Sequence, residues 1–128
     1  MKTTEQHIED LHFEHKLWQS EVSFYIDELK IYKEQIEHIG RRDITSEISN
    51  KVKFFEDQFH NSDTELESLH REIAAHEHDL AAIEKNNLEG SESGDEQKHS
   101  EMRDQFKKFQ DKYTNLKNEF RSFFKDLK

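Results

Sequence analysis

The chain has 128 residues, of which 38% are charged and 31% are hydrophobic, and its formal net charge is -10. This length fits one domain, and the low apolar fraction favours an elongated helical bundle, because each long helix buries only one stripe. The negative charge repels the phosphates of nucleic acid and anionic membrane surfaces, so neither is an expected partner.

Proline and cysteine are both absent. The first absence leaves long helices uninterrupted, and the second excludes disulfides and thiolate chemistry and fits a reducing compartment. No apolar run approaches the length of a transmembrane span, and residues 1–7 lack the apolar segment of a secretory signal. We therefore predict a cytoplasmic protein.

The first predicted helix covers residues 4–40 and carries a seam of apolar residues. Steps of three and four residues alternate along this seam without a slip, which is typical of a helix that packs lengthwise against other helices. One seam residue, His15, is not apolar. The seam consists of Ile8, Leu11, His15, Trp18, Val22, Tyr25, Leu29, Tyr32, Ile36 and Ile39.

The second predicted helix covers residues 44–86, with Asp43 as its candidate N-cap. Two readings of its middle stay open, because Ser62 and Glu65 also resemble a capping box that would break the helix near Asn61. The heptad phase passes through this point unchanged and favours one long helix. Its seam consists of Ile48, Val52, Phe55, Phe59, Ser62, Leu66, Leu69, Ile73, His76, Leu80 and Ile83.

A loop over residues 87–94, with two glycines and two serines, is predicted to be mobile. The third helix follows over residues 95–127, and its seam consists of His99, Met102, Phe106, Phe109, Tyr113, Leu116, Phe120, Phe123 and Leu127. Three helices with matching seams predict an all-α fold. We expect an elongated antiparallel three-helix, coiled-coil-like bundle that forms a single domain over residues 1–128.

Two resemblances accompany this pattern. Residues 71–78, with the sequence REIAAHEH, resemble the middle helix of spectrin-type repeats, and Trp18 in the first helix is similar as well. This resemblance implies a three-helix bundle. Residues 14–18 (EHKLW) and 55–59 (FEDQF), together with Phe24 and the pair Glu28 and Leu29, resemble a family of small all-helical proteins of Bacteroidota. That resemblance implies a bacterial cytoplasmic protein and no particular activity.

Most of the nine histidines map to one end of the predicted bundle. His12 and His15 share one helix face, and so do Glu72 and His76 on the returning helix. Three imidazoles and one carboxylate suit Zn²⁺, Fe or Cu better than Mg²⁺ or Ca²⁺. The alternative is that the seam histidines make hydrogen bonds within the core.

The predicted loop places His76 level with about Gln105, which leaves His99 about six residues, or roughly 9 Å, further along the axis. A metal ligand must approach the ion to about 2.1 Å, so this offset would exclude His99 from the same site. The predicted metal ligands are His12, His15, Glu72 and His76.

Helix 1 carries a second apolar row on the side away from its seam. In a three-helix bundle this row would face water, and contiguous exposed apolar surface usually marks an interface. The alternative is that the helices pack irregularly and cover it. The predicted interface residues are Phe13, Leu17, Phe24 and Ile31.

The sequence lacks a glycine-rich phosphate loop and any nucleophile with an ordered base, so we expect no enzyme activity. The leading prediction is a non-enzymatic interaction or structural module that forms a homodimer through helix 1 or binds another helical protein. The alternative is a protein that binds a transition metal, Zn or Fe, at the histidine-rich end. Apart from that ion, no cofactor is expected.

Overall fold

The computed structural model describes residues 4–86 and 92–127, and these form three α-helices with no strand among them. Helix α1 spans Thr4–Gly40, α2 spans Ser46–Asn86 and α3 spans Glu92–Asp126. The predicted all-α three-helix bundle is confirmed. Over the described residues, every helix is too polar along a membrane-spanning length to cross a bilayer.

Side-chain pairs between helices define their directions. Lys33 of α1 pairs with Asp63 of α2, and His12 pairs with Glu77, so α2 returns antiparallel to α1. Glu14, Glu21 and Glu28 of α1 each bond to α3 residues that lie 85 or 89 positions later in the chain, so α3 runs parallel to α1.

The predicted seams form the core. Nearly every seam residue is buried, and the half-buried exceptions include Tyr25 and Ile48, which still pack against the core. Aromatic rings fill one large section, where the ring centroid of Phe120 lies 5.1 Å from Phe59, 5.3 Å from Phe55 and 5.4 Å from Tyr32. Edge-to-face contacts of this kind stabilise the core beyond the burial of area alone.

Helix α2 continues without a break through Asn61, with Ser62 buried on its seam. The predicted N-cap is wrong, because the backbone N–H of Ile48 donates to Thr45 Oγ1 at 3.2 Å and the helix begins at Ser46. Thr45 thus takes the capping role expected of Asp43.

The start of α3 also differs from the prediction, since the helix begins at Glu92 rather than near residue 95. Residues 87–91 of the predicted mobile loop lie outside the described residues. A longer α3 changes which of its residues lie level with α2, and this affects the histidine-rich end.

Truncation of Phe59 should reveal how much the aromatic section contributes to stability. Phe59 is fully buried, so Phe59→Ala should lower the free energy of unfolding by about 3–5 kcal/mol through lost burial and a residual cavity. Urea unfolding followed by circular dichroism measures the loss. Phe54→Ala is the matched control, because Phe54 on the same helix is 47% exposed and should cost under about 1 kcal/mol. Equal losses would contradict the assignment of the core.

Candidate functional site

One core layer of the bundle consists of histidines, with one contributed by each helix. These are His15 of α1, His76 of α2 and His99 of α3. One ring nitrogen from each lies within 4.8 Å of the other two. His15 and His99 are only 2% and 3% exposed, and His76 is half-buried. We call these three residues the histidine layer.

The histidine layer interrupts the apolar core. On one side the large core cluster ends at Trp18, whose ring stacks on His99 with centroids 4.7 Å apart. On the other side lies a small separate cluster of Ile8, Leu11 and Leu80. Because a buried polar ring costs free energy unless it is hydrogen-bonded or binds an ion, the layer depends on its polar partners.

Glu77 holds two of the histidines on α1. Its carboxylate lies 2.6 Å from Nδ1 of His12 and 3.0 Å from Nδ1 of His15. When His15 donates from Nδ1, its Nε2 carries the lone pair. That Nε2 atom is buried and has no hydrogen-bond partner within the described part of the chain. The bond to Glu77 therefore fixes the orientation of the His15 ring and of the buried lone pair on its Nε2 atom.

Glu14 holds the third member of the layer. Its carboxylate bonds to Nε2 of His99 and accepts two hydrogen bonds from Arg103, at 3.0 Å from Nε and 2.7 Å from Nη2. The hydrogen bond from Arg103 lowers the pKa of Glu14 below its usual range, which keeps the carboxylate ionised. Burial lowers the pKa of His99, although the bond to Glu14 opposes this shift.

The structure brings together only part of the predicted ligand set. His15 and His76 lie in the histidine layer, whereas His12 and Glu72 fall outside the group of converging ligand atoms. The ring of His12 is held by Glu77, and Glu72 lines a groove between α2 and α3 beside Lys108. The ligand roles of His12 and Glu72 stay predictions without support from this geometry.

The predicted separation of His99 from the other histidines is wrong. Phe59 packs on Phe120 and Glu65 pairs with Lys112, which places His76 level with about Met102. His99 is therefore about one helical turn from that level instead of six residues away. Its ring centroid lies 4.9 Å from that of His15.

Sequence reasoning missed the two carboxylates that hold the layer. Glu14 and Glu77 each adjoin a seam histidine in the sequence, and Glu14 also begins a series of glutamates seven residues apart with Glu21 and Glu28. This spacing places all three along one edge of the α1 seam, where a partner helix lies. The heptad repeat of glutamates was the available signal.

The second apolar row of α1 is exposed, so the other helices do not cover it. Phe13 is 64% exposed, Leu17 49%, Phe24 57% and Ile31 56%. At 100° per residue these four side chains fall within about 40° of one another around the helix axis. They form a narrow stripe roughly 27 Å long on the face opposite the core. We call these four residues the α1 stripe.

Comparison of the chain with protein-family models, with curated proteins and with solved structures finds no match in any of the three. The resemblances drawn from short stretches of sequence therefore stay predictions.

Acidification should destabilise the bundle through His99. Because the pKa of His99 is lowered in the folded chain, the unfolded chain binds more protons below about pH 6.5. The stability that neutral His99 contributes is fully present above about pH 6.5. As the pH falls from about 6.5 toward the lowered pKa of His99 in the folded chain, the extra proton on the unfolded chain reduces the free energy of unfolding by up to about 1.4 kcal/mol per pH unit. The groups facing His99 are Glu14, His15, His76 and Arg103.

Thermal unfolding at a series of pH values measures this dependence. His99→Gln retains a donor for Glu14 but does not titrate, so its melting temperature should vary less between about pH 7.5 and pH 5.5. His60→Gln, at an exposed position far from the layer, should keep the wild-type dependence. The lowered pKa of Glu14 adds a further loss only below about pH 4.5. Identical profiles for His99→Gln and wild type would contradict the burial of His99 in its neutral form.

Proposed function

We propose that the protein is a non-enzymatic helical-bundle module that self-associates through α1. The observation that carries this proposal is the α1 stripe, in which four large apolar side chains are each about half exposed or more. Single exposed apolar residues are normal on protein surfaces, whereas a row of four large ones along one helix face is typical of an interface.

The size of the stripe supports a homodimer. Aromatic side chains such as Phe13 and Phe24 bury about 150–250 Å² each, and with the smaller Leu17 and Ile31 the exposed parts leave on the order of 400 Å² of apolar surface per copy. Two stripes packed against each other would cover on the order of 800 Å². With the flanking polar side chains, the buried area would approach the roughly 1,200–2,000 Å² of a specific interface.

A second copy of the chain fits the stripe because the stripe is straight and lies on one helix. In a two-fold dimer the same surface patch meets itself, and a straight apolar ridge on a helix can meet its own copy along its length. The charge of -10 per chain opposes this association, so added salt should strengthen it by screening the repulsion.

Composition supports the remaining parts of the proposal. The sequence carries no glycine-rich phosphate loop, which favours a structural or interaction role over phosphoryl-transfer chemistry. The absence of cysteine fits action in the cytoplasm. A bacterial origin is proposed only from the resemblance to the helical proteins of Bacteroidota.

Charge placed in the middle of the stripe should disrupt the dimer. Phe24→Glu puts a carboxylate where an apolar contact is expected, and burying it without a partner is unfavourable. Analytical ultracentrifugation should show wild type as a dimer whose affinity rises with salt, and Phe24→Glu shifted at least about tenfold in dissociation constant toward monomer.

Phe54→Glu is the matched control, because Phe54 is also a half-exposed phenylalanine but lies on α2, outside the stripe. It should leave the dimer intact. Wild-type protein that stays monomeric at high concentration would overturn the proposal. A dimer disrupted by Phe54→Glu but not by Phe24→Glu would place the interface elsewhere.

A further inference from the structure

The geometry points to a metal site in the histidine layer, and we propose that His15, His76 and His99 bind one late first-row divalent ion, best matched by Zn²⁺. This proposal is independent of self-association, because the layer faces the core while the α1 stripe faces solvent. It also replaces the ligand set expected from sequence with one that takes a residue from each helix.

The composition of the histidine layer favours a bound ion. The layers around it are apolar, and this one presents three converging imidazoles, of which two are almost fully buried. Nε2 of His15 is buried without a hydrogen-bond partner among the described residues, which is unfavourable for a polar atom. An ion bound by that lone pair would remove this cost.

The distances between the three nitrogens are close to those of a metal site. A tetrahedral site with Zn–N bonds of about 2.1 Å places its ligand atoms about 3.4 Å apart. The three nitrogens already lie within 4.8 Å of one another. Closing the site requires movements of about 1 Å, which small ring rotations supply without a change in the helix register.

Carboxylates hydrogen-bond to the ring nitrogens that would not bind the ion. Ligating histidines usually donate their other ring nitrogen to a carboxylate, which fixes the tautomer and raises the basicity of the ligand. Glu77 lies behind His15 in this way, at 3.0 Å from Nδ1. Glu14 bonds to Nε2 of His99, which leaves Nδ1 of that ring as the nitrogen for an ion.

The donor set determines the class of ion. Three neutral imidazoles suit Zn²⁺, Cu²⁺, Ni²⁺ and Co²⁺, whereas Mg²⁺ and Ca²⁺ prefer oxygen ligands. Three protein ligands leave the fourth position of a tetrahedral ion to water or another small ligand. The half-buried position of His76 provides the route by which the ion reaches the layer from solvent.

Calorimetric titration of the full chain with zinc chloride near neutral pH tests the site. Wild type should bind one ion per chain and melt at a higher temperature with Zn²⁺ present. His76→Ala and His99→Ala should each weaken binding by at least about 100-fold, since a lost ligand costs more than a lost supporting carboxylate. Glu77→Gln should weaken it by about 10–100-fold. Titration with Co²⁺ should give the visible absorption of a nitrogen-coordinated ion.

His78→Ala is the matched control, because His78 is exposed and lies on the same helix two residues from His76. It should leave the affinity unchanged, which separates the layer from adventitious binding at surface histidines. His12→Ala should change the affinity by less than about tenfold. If the metal ligands predicted from the sequence were correct, the same substitution would remove a ligand and cause a large loss of affinity.

Three results would overturn the metal site. The first is that wild type does not bind Zn²⁺. The second is that His76→Ala and His99→Ala keep their helical fold and bind Zn²⁺ as wild type does. The third is that His12→Ala loses binding whereas His99→Ala does not. The Phe24→Glu variant distinguishes this proposal from the proposed function. It should bind Zn²⁺ with wild-type affinity even as a monomer, because its substitution lies outside the layer.

Discussion

The relative register of the three seams determines which side chains share each core layer, and every feature of this bundle depends on it. Apolar packing along the seams supplies most of the stability, but many registers would bury similar area. Polar pairs at the seam edge select one of them, with Glu14, Glu21 and Glu28 bonded to α3 residues 85 or 89 positions later in the chain. Polar pairs at the edge of a helical seam chiefly set the alignment of the helices. The histidine layer exists only in this register.

The sequence predicted the seams because hydrophobic periodicity is a repeated signal, confirmed along all three helices. The position of α3 along the bundle axis, relative to α1 and α2, could not be predicted in the same way. It depends on how many residues of the connection are helical, and α3 begins at Glu92 within the stretch assigned to a loop. That difference accompanies the position of His99 beside His15, whereas Glu72 on α2 lines the groove between α2 and α3. The N-cap was missed because Asp43 and Thr45 are both good capping residues, and only the path of the turn distinguishes them.

Helix α1 presents two chemically different faces. Its inner face contributes His15 to the core, and its outer face carries the α1 stripe. The aromatic section around Phe59 and Phe120 lies on one side of the histidine layer and provides a large uninterrupted core. A small cluster of Ile8, Leu11 and Leu80 lies on the other side. A polar layer near the end of the core disrupts less packing than one at its centre, which fits a functional site in a stable scaffold.

The central claim is that one histidine from each helix meets in a single core layer. Nuclear Overhauser contacts between the ring protons of the histidines and of Trp18 test this most directly in the metal-free protein. The register described here predicts contacts between the rings of His15 and His99, whose centroids are 4.9 Å apart, and between His99 and Trp18 at 4.7 Å. If the ring of His99 instead shows no contact with either residue, α3 lies in a different register. The histidine layer would then not exist.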